Sequence, residues 1–348
     1  MRSNPTISVI VPFCNNATTI ERCIKSILLQ SFQDFELIII NDGSSDGSED
    51  LIKKEFGNDN RIKIIHQDNR GVSVSRNRGI EESSCKYITF CDADDYLGKD
   101  WLFGLFAEIG DFDVVFANYI NVDEKDSVIK KTEFQNQIIQ LNCKRDHLDF
   151  VIRQVFQKKC SWTVWSCLFK REIVIENNIR FNENCENFGE DLGFVLEYSL
   201  FSKSVKIANE NSYYYVTHPE SMSARNNETI RMDSMNEISR SFYLRCIKEG
   251  YERYSKFLSI IHFLIMYGQY YKLIGKPNYK SLKTEINKIR DQDHYYKMTK
   301  GLLRSYKELC LYADKKTAKQ ILLFTNYCLH GNWERFKIES AIFYKIVK

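Results

Sequence analysis

Three carboxylates in four positions, Asp92-Ala93-Asp94-Asp95, stand directly behind the apolar, β-favouring run Tyr87-Ile88-Thr89-Phe90-Cys91. That order reads as a buried strand ending in an acidic turn. Like charges so close repel, and a hard divalent cation with oxygen ligands, Mg²⁺ or Mn²⁺, relieves the repulsion; a solvated acidic turn is the bland alternative. A second acid, Asp42 in Asn41-Asp42-Gly43-Ser44, follows the apolar run 35–40 in the same way. Ser75-Arg76-Asn77-Arg78-Gly79 offers two guanidiniums, one of which suits phosphate oxygens in fork geometry. Glu190-Asp191 opens the apolar run 192–201, where acids either cap a helix or supply a general base. His218 closes the aromatic run 212–217.

These groups need a scaffold that brings them together, and the alternation of patterns predicts one. Residues 7–13 read as a buried strand, and Asn15-Asn16 as the turn that starts a helix. Ile20, Cys23, Ile24, Ile27 and Leu28 form one apolar helical face, and 35–40 is a second strand. Residues 62–65 predict a third strand, 72–82 a helix and 87–91 a fourth strand. Strand-helix-strand units close as right-handed parallel crossovers, which places Asp42, Asp92 and the turn after Phe13 on one sheet edge, where open α/β sheets bind ligands. Beyond 112 the pattern predicts a strand at 113–118, a polar hairpin or loop at 122–134 and a short amphipathic helix at 147–156. An aromatic strand follows at 161–169, with Trp162 and Trp165 either in the core or facing sugar. From 226 onward, 230–248, 254–273, 279–290 and 317–330 predict helices.

Composition narrows the function. Of 348 residues 43% are hydrophobic, which excludes a mainly disordered chain and allows two domains. A formal charge of +3 from 49 basic and 46 acidic side chains gives no support to nucleic-acid binding. The 11 cysteines contain no Cys-x-x-Cys pair and several lie in apolar runs, so free thiols in a reducing cytosol are expected. No signal-peptide core follows Met1, and the longest apolar stretch, 257–267, falls short of the ~20 residues a membrane-spanning helix needs. A cytoplasmic protein is expected. The tail 333–348 mixes bulky apolar and basic residues, suited to lying on an anionic membrane surface, closing a helical core or pairing two subunits.

The motifs Ser-Val-Ile-Val-Pro-Phe-Cys-Asn, Ile-Ile-Asn-Asp-Gly-Ser-Ser-Asp-Gly-Ser, Ser-Arg-Asn-Arg-Gly-Ile and Phe-Cys-Asp-Ala-Asp-Asp-Tyr-Leu, in this order, resemble the inverting nucleotide-sugar glycosyltransferases of family 2. The similarity covers residues 5 to about 220. It implies a GT-A-like α/β fold, a Rossmann-like and mostly parallel sheet flanked by helices, followed by a C-terminal helical region. The catalytic domain would span 1–225, with a nucleotide-sugar half at 1–112 and an acceptor half at 113–225, and the helical domain 226–348. The resemblance implies that Pro12, Asn15 and Asp42 line the nucleoside pocket, with Asp42 on the base. Arg76 would lie near base or phosphate, and Asp92, with Ala93 beside it, at the ribose. Asp94 would ligate Mn²⁺ or Mg²⁺, joined by His218, for which a phosphate contact or a plain strand end is the alternative; Asp95 would support the loop. Asp191 matches the family's general base and Glu190 its partner. The implied donor is a UDP-sugar and the implied acceptor a glycan or lipid-linked glycan of the cell surface. A silent scaffold subunit would lose an acid, and all are present; a nucleotidyltransferase would show a Gly-rich loop, and residues 12–20 hold no glycine.

Overall fold

Ile7–Phe13 is buried at every position, so this strand, β1, is covered on both faces and lies inside a sheet. The computed structural model describes residues 5–185, 188–210, 212–218, 228–268 and 279–331. Along the chain follow α1 (Ile20–Leu28), β2 (Phe35–Asp42), α2 (Ser48–Phe56), β3 (Ile62–Gln67), α3 (Val72–Glu82), β4 (Tyr87–Phe90), β5 (Tyr96–Leu97) and α4 (Trp101–Ile109). Next come β6 (Val114–Phe116), β7 (Ile120–Val122), β8 (Val128–Lys131), β9 (Gln137–Gln140) and α5 (Lys144–Phe150), which continues as a π-helical turn over Val151–Phe156. Then β10 (Cys167–Lys170), α6 (Arg171–Glu176), α7 (Glu190–Ser199), β11 (Ser204–Ile207) and β12 (Tyr213–Val216) complete the α/β part. Helices α8 (Glu228–Lys248), α9 (Ser255–Gly268), α10 (Tyr279–Ile289), α11 (Asp293–Leu302), α12 (Tyr306–Leu309) and α13 (Lys315–His330) follow.

The chain divides into two compact units, Met1–Cys143 with Lys158–Arg225, and Lys144–Gln157 with Asn226–Lys348. Residues 144–157, expected within the acceptor half, therefore group with the helices. In the first unit an eight-stranded sheet runs β3-β2-β1-β4-β10-β6-β11-β9. Its first four strands are parallel, as the crossovers predict. Strand β10 runs antiparallel to both β4 and β6. A smaller sheet, β5-β12-β7-β8, lies in the same unit. The apolar face of α1, Ile20, Cys23, Ile24 and Ile27, packs in one core with Val9, Val11, Leu37 and Ile39. Helix α3 approaches β1 so closely that a Cβ on Gly79 would stand 2.3 Å from Ile10 Cγ2.

Three expectations need correction. Residues 161–166 are not strand: hydroxyls of Ser161, Thr163 and Ser166 bond one another there, and only Cys167–Lys170 joins the sheet. Helix α2 was not expected, because its only buried positions are Ser48, Ile52 and Phe56, too few to show a periodic face. Helices α11 and α12 likewise escaped the pattern. Trp165 is a core residue, 5% exposed, stacked on Tyr213 at 4.5 Å and Tyr215 at 5.4 Å, and Trp162 is half-buried. Eight of the 11 cysteines are buried.

In the second unit α9 packs on α8 and α11. One hydroxyl, Ser239 Oγ, lies 2.6 Å from His262 Nδ1 and 3.0 Å from His294 Nε2. Among the described residues no helix is long and apolar enough to cross a membrane. The tail 333–348 lies outside the described residues.

Candidate active site

Each acid predicted at a strand end lies at or just beyond the carboxyl end of a parallel strand, Asp42 as the last residue of β2 and Asp92 two residues past β4. Pro12 is buried on β1 opposite Ile40, so the following turn and the end of β2 share an edge. Asn15 has a left-handed backbone, φ +56°. Its N–H donates to Ser44 Oγ at 3.0 Å and its Oδ1 accepts from Ser45 N at 2.9 Å, binding the first two loops together. Asp42 is 4% exposed, and both its oxygens are engaged. It accepts from Gln67 Nε2 at 2.7 Å, Arg70 N at 2.9 Å and Gly71 N at 2.8 Å, which holds the turn ahead of α3.

The DADD turn splits into roles. Ligand atoms of Asp92, Asp94 and Asp95 lie within 4.8 Å of one another, a spacing that suits one cation. Asp95 is fully buried and committed elsewhere: Tyr213 Oη donates to Oδ2 at 2.7 Å and Val216 N to Oδ1 at 2.7 Å. Tyr213 Oη also accepts from Asp92 N at 3.2 Å, so this phenol ties β12 to both ends of the turn. Ala93 is buried between them. Burial, then the neighbouring Asp92 charge, pushes the Asp94 carboxyl up to about 6, with His218 and Arg22 opposing the rise. The Nδ1 of His218 is 3.0 Å from Glu124 Oε1, while its buried Nε2 has no hydrogen-bond partner. The clustered carboxylate oxygens of Asp92, Asp94 and Asp95 are a donor set that fits Mn²⁺ or Mg²⁺, and the orphan Nε2 of His218 is not among the ligand atoms of that cluster.

Arg76 is paired with three carboxylates. Projecting from α3 and 3% exposed, it donates from Nη1 to Glu190 Oε1 at 2.9 Å and Asp191 Oδ1 at 2.8 Å, and from Nη2 to Asp92 Oδ1 at 2.8 Å. Arg78, two residues further along the same helix, stays on the surface with Glu82 at 2.6 Å. Gly189, at φ +81°, turns the chain so that Glu190 and Asp191 begin α7, whose dipole favours acids in its first turn. Asp191 Oδ2 accepts from Val164 N at 3.2 Å. Its carboxyl is pushed up to about 7, chiefly by burial, with Glu190 and Asp92 adding to the rise and Arg76 opposing it. One guanidinium among three carboxylates cannot neutralise them all. Asp92, Arg76, Glu190 and Asp191 therefore form one cluster, while Asp42 and Asn15 organise neighbouring loops. Tyr213, Val164 and Phe181, whose ring lies 5.3 Å from the Arg76 guanidinium, were not singled out from the sequence; the aromatic run 213–215 was the one visible hint of Tyr213.

A buried carboxyl titrating near neutrality, next to a cation-ready turn, suits proton abstraction beside an anionic leaving group. Residues 8–164 match the model of "Glycosyl transferase family 2". The chain is 32% identical over 222 residues to the uncharacterized glycosyltransferase EpsJ of Bacillus subtilis, covering 63% of each chain. It thus spans less than two thirds of that relative's length. It is 27% identical over 311 residues to the cholesterol galactosyltransferase of Borreliella burgdorferi, covering 82% of each. A crystal structure of S. aureus TarS 1-349 in complex with UDP-GlcNAc shares the fold at a TM-score of 0.73 and 17% identity, covering 98% of this chain and 92% of that one.

Proposed function

For a chain whose residues 8–164 match the model of glycosyl transferase family 2, we propose transfer of a hexose or N-acetylhexosamine from a nucleotide diphosphate, UDP first, to an acceptor hydroxyl with inversion. The observation that carries this reading is the joining of Asp191, at the start of α7, to the strand-end acid Asp92 through Arg76. In the proposed reaction Asp191 takes the proton of the acceptor hydroxyl as its oxygen attacks the anomeric carbon, while the bond from that carbon to the diphosphate oxygen breaks. Electrons leave with the nucleoside diphosphate, the proton stays on Asp191, and attack opposite the leaving group inverts the centre. Glu190 shares Arg76 with the base and orients it. Asp42, Asn15 and Pro12 line the nucleoside side, and Asp92 with Ala93 faces the ribose. Asp94 and His218 would hold Mn²⁺ or Mg²⁺, which when bound neutralises the diphosphate. The half 1–112 would hold donor and 113–225 acceptor.

The acceptor we favour is a saccharide hydroxyl of surface polysaccharide or lipopolysaccharide, at the cytoplasmic face of the membrane. The sterol glycosyltransferase among the relatives, aligned over 82% of both chains, supports a sterol hydroxyl as the second reading.

The test is a thermal-shift screen against UDP, GDP, CMP and UDP-sugars with and without Mn²⁺, followed by transfer assays on saccharide and sterol acceptors. Metal-dependent stabilisation by UDP or a UDP-sugar, with transfer abolished but binding kept in Asp191→Asn, is the expected result. Absence of both binding and slow donor hydrolysis overturns it.

A further inference from the structure

We propose that Arg76 is a positioning residue for the base, not a ligand of the donor phosphates; this rests on the reading of Asp191 as base. Three observations support it. The first is occupancy: both terminal nitrogens of the guanidinium are engaged by carboxylates at 2.8–2.9 Å, and the remaining Nε is buried without a partner, closed off from any approaching anion. The second is charge. Glu190, Asp191 and Asp92 around one guanidinium sum to a local surplus of negative charge, which repels a diphosphate that would have to displace a carboxylate to reach Arg76. The third is geometry. Asp191 is held through one oxygen by Arg76 and through the other by Val164 N, so the carboxylate plane is fixed. Each oxygen retains a further lone pair for an incoming hydroxyl. Without the guanidinium, three acids would face one another, and Asp191 would keep only the Val164 contact.

Because Nη2 grips Asp92 while Nη1 grips Asp191, the same rigid fork sets the separation between the ribose-side acid and the base. Phe181 lies against the guanidinium and keeps it in place, and Asn77, next along α3, anchors Phe181 through its backbone N at 2.8 Å and its carbonyl at 3.0 Å. A lysine at 76 would preserve the charge but could not span the three carboxylates.

Wild type, Arg76→Lys and Phe181→Leu are compared by calorimetric titration of UDP with Mn²⁺ and by kcat and KM for the hydrolysed or transferred donor. For Arg76→Lys the expected result is a UDP dissociation constant and donor KM within about threefold of wild type, and kcat lower by about 100-fold, the loss that misplacing a reacting group brings. Phe181→Leu, which alters the ring packed against the guanidinium, lowers kcat by about three- to tenfold with UDP binding unchanged. The inference is overturned if Arg76→Lys weakens UDP by about tenfold or more while kcat at saturating donor holds, or if neither quantity moves. Should Arg76→Lys fail to fold, Phe181→Leu decides alone: unchanged kcat overturns the inference. A wild-type protein that neither binds UDP with Mn²⁺ nor turns over donor fails the parent reading instead, before any variant is compared.

Discussion

The phenol of Tyr213 donates to Asp95 Oδ2 at 2.7 Å and accepts from Asp92 N at 3.2 Å, so a single hydroxyl braces the acidic turn from the neighbouring sheet. Both Tyr213 and Asp95 are fully buried. Tyr213→Phe leaves a carboxyl oxygen without its donor, which costs about 1–3 kcal/mol. A lower thermal midpoint and weaker Mn²⁺-dependent stabilisation by UDP are expected. Unchanged values for both would show that Val216 N alone suffices to hold the turn.

Gly79 lies where α3 meets β1. A methyl group there would overlap Ile10 Cγ2 at 2.3 Å. Gly79→Ala forces α3 off the sheet and costs about 1–3 kcal/mol. Because Arg76 sits one turn earlier on the same face, the shift also reaches the carboxylate cluster. A drop in thermal midpoint accompanied by lower kcat is expected; a stable variant with full activity would mean that the helix moves without carrying Arg76.

The pH dependence of turnover follows from Asp191. Its carboxyl is pushed up to about 7, chiefly by burial, and a base must be ionised to act. The kcat should fall about tenfold per unit as pH drops below about 7 and level off above it. The stability term has the opposite sign. The folded form keeps a proton that the unfolded chain gives up near ~3.9, so this contribution is present at low pH and is lost as pH rises through about 7. Asp191→Asn should gain midpoint relative to wild type between pH 6 and 8. An acid limb far from 7 would remove Asp191 from the base role.

The helical unit carries its own pH response. Ser239 Oγ bridges His262 and His294, and because a hydroxyl has a single proton to give, at least one of the two ring nitrogens donates an N–H to it. Burial pushes His262 well down and His294 to about 4; Arg240 and Lys297 add to the fall at His294, and Glu237 opposes it. The unfolded chain binds these protons near ~6.5, so stability is present above that pH and is lost as pH falls toward 4. Thermal midpoints should decline between pH 7 and 5, and His294→Gln should flatten the decline. An identical slope in that variant would place the response elsewhere.

Much of this molecule is legible in its local patterns. The buried runs 7–13, 35–40 and 87–90 and the periodic face Ile20–Leu28 needed no tertiary information, because strand burial and helical amphipathicity repeat over a few residues. The order of strands and helices then placed Asp42 and Asp92 at one sheet edge, since parallel crossovers leave no other arrangement. Helix α7 beginning at Glu190 was visible as an acid pair ahead of an apolar run. What failed was local too: the short, charged α2 has too few buried positions to announce itself, and the aromatic stretch 161–166 is bonded by hydroxyls into a turn.

The partners within the site belong to the fold alone. Arg76 reads from the sequence as a candidate phosphate fork, yet its carboxylates lie 16, 114 and 115 residues away, and the donor to Asp95 is 118 residues distant. The sequence alone determined which residues can ionise and which strand ends carry them, because residue type and burial period are properties of short segments. Only the tertiary structure decided which charge meets which. A buried carboxylate takes whatever donor the packing brings within about 3 Å, and no local spacing records that meeting.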